Sequence, residues 1–221
     1  MYGDSRCFSC QKKLQPHELL PILSFIFLKG TCGHCGSKIS WQYPIVEIVT
    51  GFLAVVIYPV PYALFYFLAF SLLLLLALYD FKNKIIDSHF LYIFGAFAVA
   101  EAIRSWILGE RFLFRDTFSS FFIAFFFYAM WRFSKGTWMG RGDSNLVFFL
   151  ALFLGFPQSI AMLFLSFWIG AVVGIILLLT RRRRFTIKSE IPFGPFLAIA
   201  TFMVWGFSDF FNAIYHVYFF S

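Results

Sequence analysis

From Pro44 to the C-terminus one apolar run follows another, joined by short polar connectors. A bilayer offers no water to peptide groups, so each must find its partner inside the chain. A sequence of this kind therefore folds as a set of transmembrane helices. Only 13% of the residues are charged, against roughly 25% in a soluble domain. Spans are expected at 44–60, 62–79, 88–108, 116–133, 144–155, 158–180 and 192–219. The expected fold is an all-α polytopic membrane protein with about seven transmembrane helices. Pro44 and Pro192 suit first helical turns, and Pro59 with Pro61 suits a tight hairpin. The fifth run rises only about 18 Å as a helix, against about 30 Å of hydrocarbon. It is tilted, extended by its flanks, or crosses partway.

The connectors carry the charge. Lys12, Lys13, Lys29 and Lys38 precede the first span, Lys82 and Lys84 follow the second, and Arg132, Lys135 and Arg141 follow the fourth. Arg181 to Arg184 and Lys188 follow the sixth. Short basic connectors stay in the cytoplasm. With a cytoplasmic N-terminus, only Arg104, Arg111 and Arg115 of the 18 basic residues fall outside. The net charge of +7 is thus a topology signal and not a nucleic-acid site, because no basic patch is interleaved with a soluble fold. Arg181 to Arg184 is an anchor with contact to anionic lipid as a minor addition. The 35 phenylalanines read as lipid-facing bulk. No cleavable signal peptide is visible in the polar first forty residues.

Two carboxylates stand where the membrane should end. Asp80 closes one apolar run, and Asp143 follows Gly140-Arg141-Gly142 and opens another. Both fall on the cytoplasmic side of the topology above. A carboxylate carried to mid-membrane costs roughly 2.5–3.5 kcal/mol, so two at comparable depth suggest one shared polar site. Peptide hydrolysis without a metal or covalent nucleophile needs such a pair: one carboxylate activates water, and a protonated carboxyl supplies the carbonyl oxygen and the leaving amine. The two share a proton, so the roles of base and acid belong to the pair. Gly140 and Gly142 let the backbone turn and approach a neighbour closely. The plainer reading makes Asp80 and Asp143 helix caps at the interface, as Asp87 before Ser88 also suggests. Glu101 and Arg104 are spaced to pair along a helix. Asp209 lies late in the last span and suits the outer interface.

Residues 1–43 form a separate, polar module; residues 44–221 form the membrane domain. The module holds every cysteine of the chain, as Cys7-Phe8-Ser9-Cys10 and Cys32-Gly33-His34-Cys35. Two such knuckles offer four thiolates to Zn²⁺ tetrahedrally, with Gly33 and Gly36 permitting the turns. A redox dithiol is the alternative; disulfides are disfavoured where thiols stay reduced. A four-sulfur site has no open position, so the zinc would be structural. His17, His34, His89 and His216 make no hydrolytic zinc motif.

Five segments in order resemble the bacterial prepilin peptidases, the type IV leader peptidases of the GxGD membrane aspartyl class. They are the Cys7/Cys10 knuckle with Leu20-Pro21-Ile22-Leu23-Ser24-Phe25; Gly30-x-Cys32-x-x-Cys35 with Tyr43-Pro44-x-x-Glu47-x-x-Thr50-Gly51; Asp80 through Ile86-Asp87; Gly140-x-Gly142-Asp143; and Ile191-Pro192-Phe193-Gly194-Pro195-Phe196-Leu197-Ala198. The resemblance implies an intramembrane-type aspartyl endopeptidase with Asp80 and Asp143 catalytic. Its substrates would be prepilins and pseudopilins, cut after a glycine at the cytoplasmic face of the bacterial inner membrane. Members with the cysteine module often N-methylate the new terminus with S-adenosylmethionine. No glycine-rich nucleotide loop after a strand is present here, so methylation rests on the resemblance. In the family Tyr43-Pro44-x-x-Glu47 implies a structural or leader-binding role for Glu47.

Three departures stand out. The family usually has a span before the first knuckle, and this chain starts almost at the knuckle. The lysine common after the second aspartate is absent from Asp143-Ser144-Asn145-Leu146, and Ile85-Ile86-Asp87 stands where Ile-Pro-Asp is commoner. Both candidate catalytic carboxylates remain. The competing reading is a non-catalytic scaffold with a zinc-ribbon docking module; a degenerate homologue or methyltransferase alone is a third.

Overall fold

A computed structural model describes residues 5–136, 140–180 and 192–208. Arg181 to Arg184, Lys188, Asp209, His216 and the end of the last expected span lie outside the described residues. The chain divides into two compact units, 1–67 and 68–221. Among the described residues the regular structure is helical, apart from two isolated antiparallel bridges, Arg6 with Lys13 and Thr31 with Lys38.

In the first unit each bridge closes one cysteine knuckle. The two knuckles are copies of one hydrogen-bond pattern. The Cys7 amide donates to Lys12 O and the Gln11 amide to Cys7 O; the Cys32 amide donates to Ser37 O and the Gly36 amide to Cys32 O. The residue after each second cysteine has positive φ. Gly36 adopts 68° freely, whereas Gln11 adopts 56° at some steric cost. A short 3₁₀ turn, Pro16–Leu19, and helix α1, Leu23–Phe27, connect the knuckles. Helix α2, Gln42–Ile57, follows, with Pro44 in its first turn as expected.

Helix α3, Ala63–Asn83, runs across the boundary into the second unit. It is followed by α4, Ser88–Ile107; α5, Leu113–Phe133; α6, Arg141–Leu154; α7, Gln158–Leu179; and α8, Gly194–Gly206. Asp87 caps α4, accepting from the His89 amide at 2.8 Å and the Phe90 amide at 3.4 Å. Pro192 lies outside α8; Pro195 occupies its first turn.

Helix α6 is the hub of this unit and packs against α4, α5, α7 and α8. Its residues Leu146, Val147, Leu150, Ala151, Leu152, Phe153 and Leu154 are all buried, so its last turns are enclosed on every side, while Phe148 and Phe149 are half-buried. Lipid tails are as apolar as leucine and do not drive helices together; close van der Waals fit does. Gly95 on α4 supplies such a fit, since a Cβ there would lie 2.7 Å from the Phe149 ring of α6. Helix α5 has the opposite character: Phe114, Phe118, Phe121, Phe122 and Phe125 are exposed. The reading of phenylalanine as lipid-facing bulk holds there and fails at Phe94, Phe127 and Phe153, which are core.

Among the described residues four helices, α3, α4, α5 and α7, are long and apolar enough to cross a membrane. Helices α2 and α8 are apolar but shorter. With its 14 residues, α6 rises about 21 Å, short of the roughly 30 Å core.

Candidate active site

The buried face of α3 carries Ala69, Phe70, Leu73 and Leu76, and the same face ends at Asp80, 5% exposed. The helix continues to Asn83, so Asp80 lies inside its last turns and not beyond its end. Asp143, 7% exposed, stands in the first turn of α6, three residues after Gly140. Each carboxyl is held by a backbone amide. The Gly140 amide donates to Asp143 Oδ2 at 3.0 Å, and the Asp143 amide donates back to Gly140 O at 3.2 Å. The Gly194 amide, at the start of α8, donates to Asp80 Oδ2 at 3.0 Å. The carboxyls are near enough for the charge of Asp80 to act on Asp143. Among the described residues neither has a cation as partner.

The glycines work by space more than by torsion. Gly140 has φ −74°, open to any residue, and contributes its N–H. A Cβ on Gly142 would lie 3.1 Å from Ile86 Cβ, so the turn before Asp143 abuts the segment after Asp80. Gly194 is the tightest: a Cβ there would stand 2.5 Å from Asp80 Oδ2. Its contact with Asp80 was not legible from residue spacing, because the two are far apart in the chain; the apolar block from Ile191 onward was the only signal. Beside it, Phe193 packs on Phe167 and Phe127, with ring centroids 5.2 and 5.9 Å away. The arrangement offers two buried carboxyls, amide donors and an apolar wall, which is the equipment for acid–base work on a peptide bond.

Glu47 also has a partner. Ile22 is the centre of a tight turn with φ 63° and ψ −50°, closed by the Leu23 amide on Pro21 O. This is a strained γ-turn, rare for a β-branched residue. The Ile22 amide donates to Glu47 Oε2 at 2.8 Å. The expected ion pair of Arg104 with Glu101 is present at 2.8 Å.

The four cysteines converge. Their sulfurs all lie within 4.8 Å of one another, with Cys7 and Cys35 at 3.9 Å. Four sulfurs placed tetrahedrally around a metal at about 2.3 Å stand roughly 3.8 Å apart, so the cluster has the size and donor set to hold a metal ion. The Cys10 and Ser9 amides, with the Ser37 hydroxyl, lower the Cys7 thiol to about 6. The Ser37 hydroxyl and amide lower Cys35 as well, whereas burial beside Cys35 and Cys7 pushes the Cys10 thiol up to about 11. Thiolates are the ligand form. A Cβ on Gly33 would meet Glu18 Oε1 at 2.9 Å, so a side chain there would displace the Glu18 carboxyl.

Two family models match the chain. The bacterial peptidase A24 N-terminal domain covers residues 1–60, and the type IV leader peptidase family covers residues 67–175. The prepilin leader peptidase/N-methyltransferase of Bacillus subtilis is 32% identical over 216 residues, covering 93% of this chain and 82% of the relative. Proteins of the same name from Aeromonas salmonicida and Pseudomonas aeruginosa are 30% and 29% identical, covering 93% and 92% of this chain and 72% of each relative. No solved structure matches.

Proposed function

The chain belongs to the type IV leader peptidase family and is a peptidase; from that premise we propose that it removes the leader from type IV prepilins and pseudopilins. It cuts after a glycine at the cytoplasmic face of the bacterial inner membrane, with Asp80 and Asp143 as the catalytic pair and Gly140 and Gly142 as the supporting turn. The observation that carries this reading is the burial of both carboxyls at one site, held by backbone amides and without a cation among the described residues. A non-catalytic scaffold gives no reason to desolvate two acids side by side.

One carboxylate takes a proton from water as the oxygen attacks the scissile carbonyl, and the protonated partner donates its proton to the carbonyl oxygen; as the C–N bond breaks, the first carboxyl passes the proton it took from water to the leaving amine and the partner takes its own back from the intermediate's hydroxyl. The Gly194 and Gly140 amides fix the two carboxyls without adding positive charge.

The domains proposed are a cytoplasmic cysteine module at 1–43 and a membrane peptidase domain at 44–221, with seven crossings and a cytoplasmic N-terminus. Zn²⁺ on Cys7, Cys10, Cys32 and Cys35 would hold the module together and, having no open position, take no part in hydrolysis. The relatives' names support N-methylation of the new terminus with S-adenosylmethionine; no residue is assigned to that cofactor. The test is cleavage of a prepilin in detergent or liposomes by wild type, Asp80→Asn and Asp143→Asn, with the product N-terminus read by mass spectrometry. Cutting after the leader glycine by wild type, and by neither folded variant, supports the pair. Cutting by either variant refutes it. A gain of one methyl mass on adding S-adenosylmethionine establishes methylation.

A further inference from the structure

Helix α6 carries Asp143 at one end and breaks at the other. Its last residue is Leu154, and Gly155, with φ 72°, turns the chain toward α7. The break leaves carbonyls and an amide unpaired by the helix, in a helix too short to reach bulk water on both sides of a bilayer. Three charged side chains, Arg111 just before α5 and Arg115 and Asp116 in its first turn, meet them. Arg111 Nη1 donates to Phe153 O at 3.0 Å, and Arg115 Nη2 donates to Phe156 O at 3.1 Å. Asp116, 3% exposed, accepts from the Phe156 amide at 3.2 Å and from Arg115 Nε at 3.5 Å. The fit is close: a Cβ on Gly155 would lie 2.9 Å from both Arg111 Cδ and Asp116 Oδ2. Arg115 also lies over the Phe112 and Phe156 rings, at 5.5 and 5.1 Å. Asp116 is itself fixed at its carbonyl, which accepts from the Ser119 and Ser120 hydroxyls.

Helices α5 and α6 run antiparallel and touch along their length. Beyond this clamp, Phe121 meets Phe148 at 4.8 Å, and Arg141 lies over Trp131 at 5.7 Å beside the Asp143 turn. A helix transmits axial displacement with little loss, and Asp143 sits roughly 18 Å along α6 from Gly155. We propose that Asp116, with Arg111 and Arg115, is a positioning residue that fixes the depth of α6 and so holds Asp143 opposite Asp80. The inference rests on the reading of Asp80 and Asp143 as the catalytic pair. It gives the outward arginines a task beyond topology: they satisfy a helix broken inside the membrane and set the register of the site from its far end. A displacement near 1 Å at a reacting group costs about a hundredfold in rate, so a loosened clamp acts on turnover more than on substrate binding.

The test compares Asp116→Ala and Asp116→Asn with wild type and Asp143→Asn in one detergent, by kcat, KM and the pH–rate profile for prepilin cleavage, with melting temperature measured alongside. Asp116→Ala is expected to lower kcat by about tenfold or more with KM nearly unchanged, and to displace the pH profile, because the carboxyls no longer face each other as before. Asp116→Asn keeps an acceptor for the Phe156 amide and falls between. If either variant melts lower while kcat per folded molecule and the pH profile stay as in wild type, the residue is only structural glue and the inference is overturned. If Asp116→Ala does not fold, Asp116→Asn decides by the same criteria. If Asp143→Asn cleaves like wild type, the catalytic pair itself is wrong and this inference falls with it. A dead Asp143→Asn beside unaltered Asp116 variants removes this inference alone.

Discussion

The cysteine cluster and the aspartate pair both gather costly groups, but they are built in opposite ways. Each half of the cluster is local: two cysteines three apart, one tight turn, and a bridge such as Arg6 with Lys13 that closes within a few residues. The second half, closed by Thr31 with Lys38, repeats the first. The aspartate pair has no local unit. Asp80 comes from α3, Asp143 from α6, and the amide that holds Asp80 comes from α8. The first arrangement has the size and donor set for a metal ion that would tie its two halves together; the second is assembled by the fold alone. The two sites should therefore fail under different insults.

Metal removal is the largest effect and separates them most sharply. Structural zinc in small modules contributes about 10–16 kcal/mol of folding free energy at neutral pH. Strong chelation, or Cys32→Ser, is expected to release one zinc per chain and expose the 5–40 region to limited proteolysis, while helices α4 to α8 keep their protection. A module that stays protected without metal would show that its hydrogen bonds suffice. Next comes the pair itself. Asp80→Asn or Asp143→Asn should lower cleavage by about a thousandfold or more, the range of positioned acid–base groups, with zinc content unchanged. A loss of zinc in these variants would mean that the two sites are not independent.

Gly194→Ala acts on the pair without touching an ionisable group. The new methyl would sit 2.5 Å from Asp80 Oδ2, so either the carboxyl or α8 must move. A loss of about a hundredfold in kcat is expected, with the melting temperature nearly kept. Gly140→Ala provides the contrast. Its φ of −74° suits alanine and its Cβ would lie 3.4 Å from Asp143 Oδ2, an ordinary contact. It should cost far less. Equal losses at the two glycines would mean that the GxGD turn depends on torsion after all.

The same contrast explains what was legible in the sequence. Cysteine spacing and apolar runs are local signals, so the knuckles and the helices α3, α4, α5 and α7 follow from them. Hydropathy reports affinity for lipid or core alike and cannot tell one from the other. It therefore missed that the last turns of α6 are enclosed while α5 exposes its phenylalanines. It also ended the second span at Tyr79, because Asp80 is charged; the helix continues to Asn83, and the Gly194 amide meets the acid there. The charges Arg111 and Arg115 were visible only as charges. Their partners are backbone carbonyls some forty residues away, and backbone groups have no sequence signature.

The smallest effect lies in the first unit and tests whether its connector is as self-sufficient as its knuckles. Ile22 holds a conformation that costs of order 1–3 kcal/mol unless its surroundings impose it. One constraint is not local: the Glu47 carboxylate on α2 accepts the Ile22 amide. A hydrogen bond to a charged group contributes about 1.5–3 kcal/mol, and a neutral acceptor about 0.5–1.5; exposure of Glu47 places its value at the low end. Glu47→Gln should therefore cost about 1 kcal/mol, read as faster hydrogen exchange at the Ile22 amide with the knuckle amides of Cys7 and Cys32 unchanged. Adding Ile22→Gly removes the steric cost of positive φ and should make Glu47→Gln nearly silent. If the double change is no milder than the single one, the Glu47 bond is not what holds the turn, and its carboxylate is then free for the leader-binding role its place beside Tyr43-Pro44 first suggested.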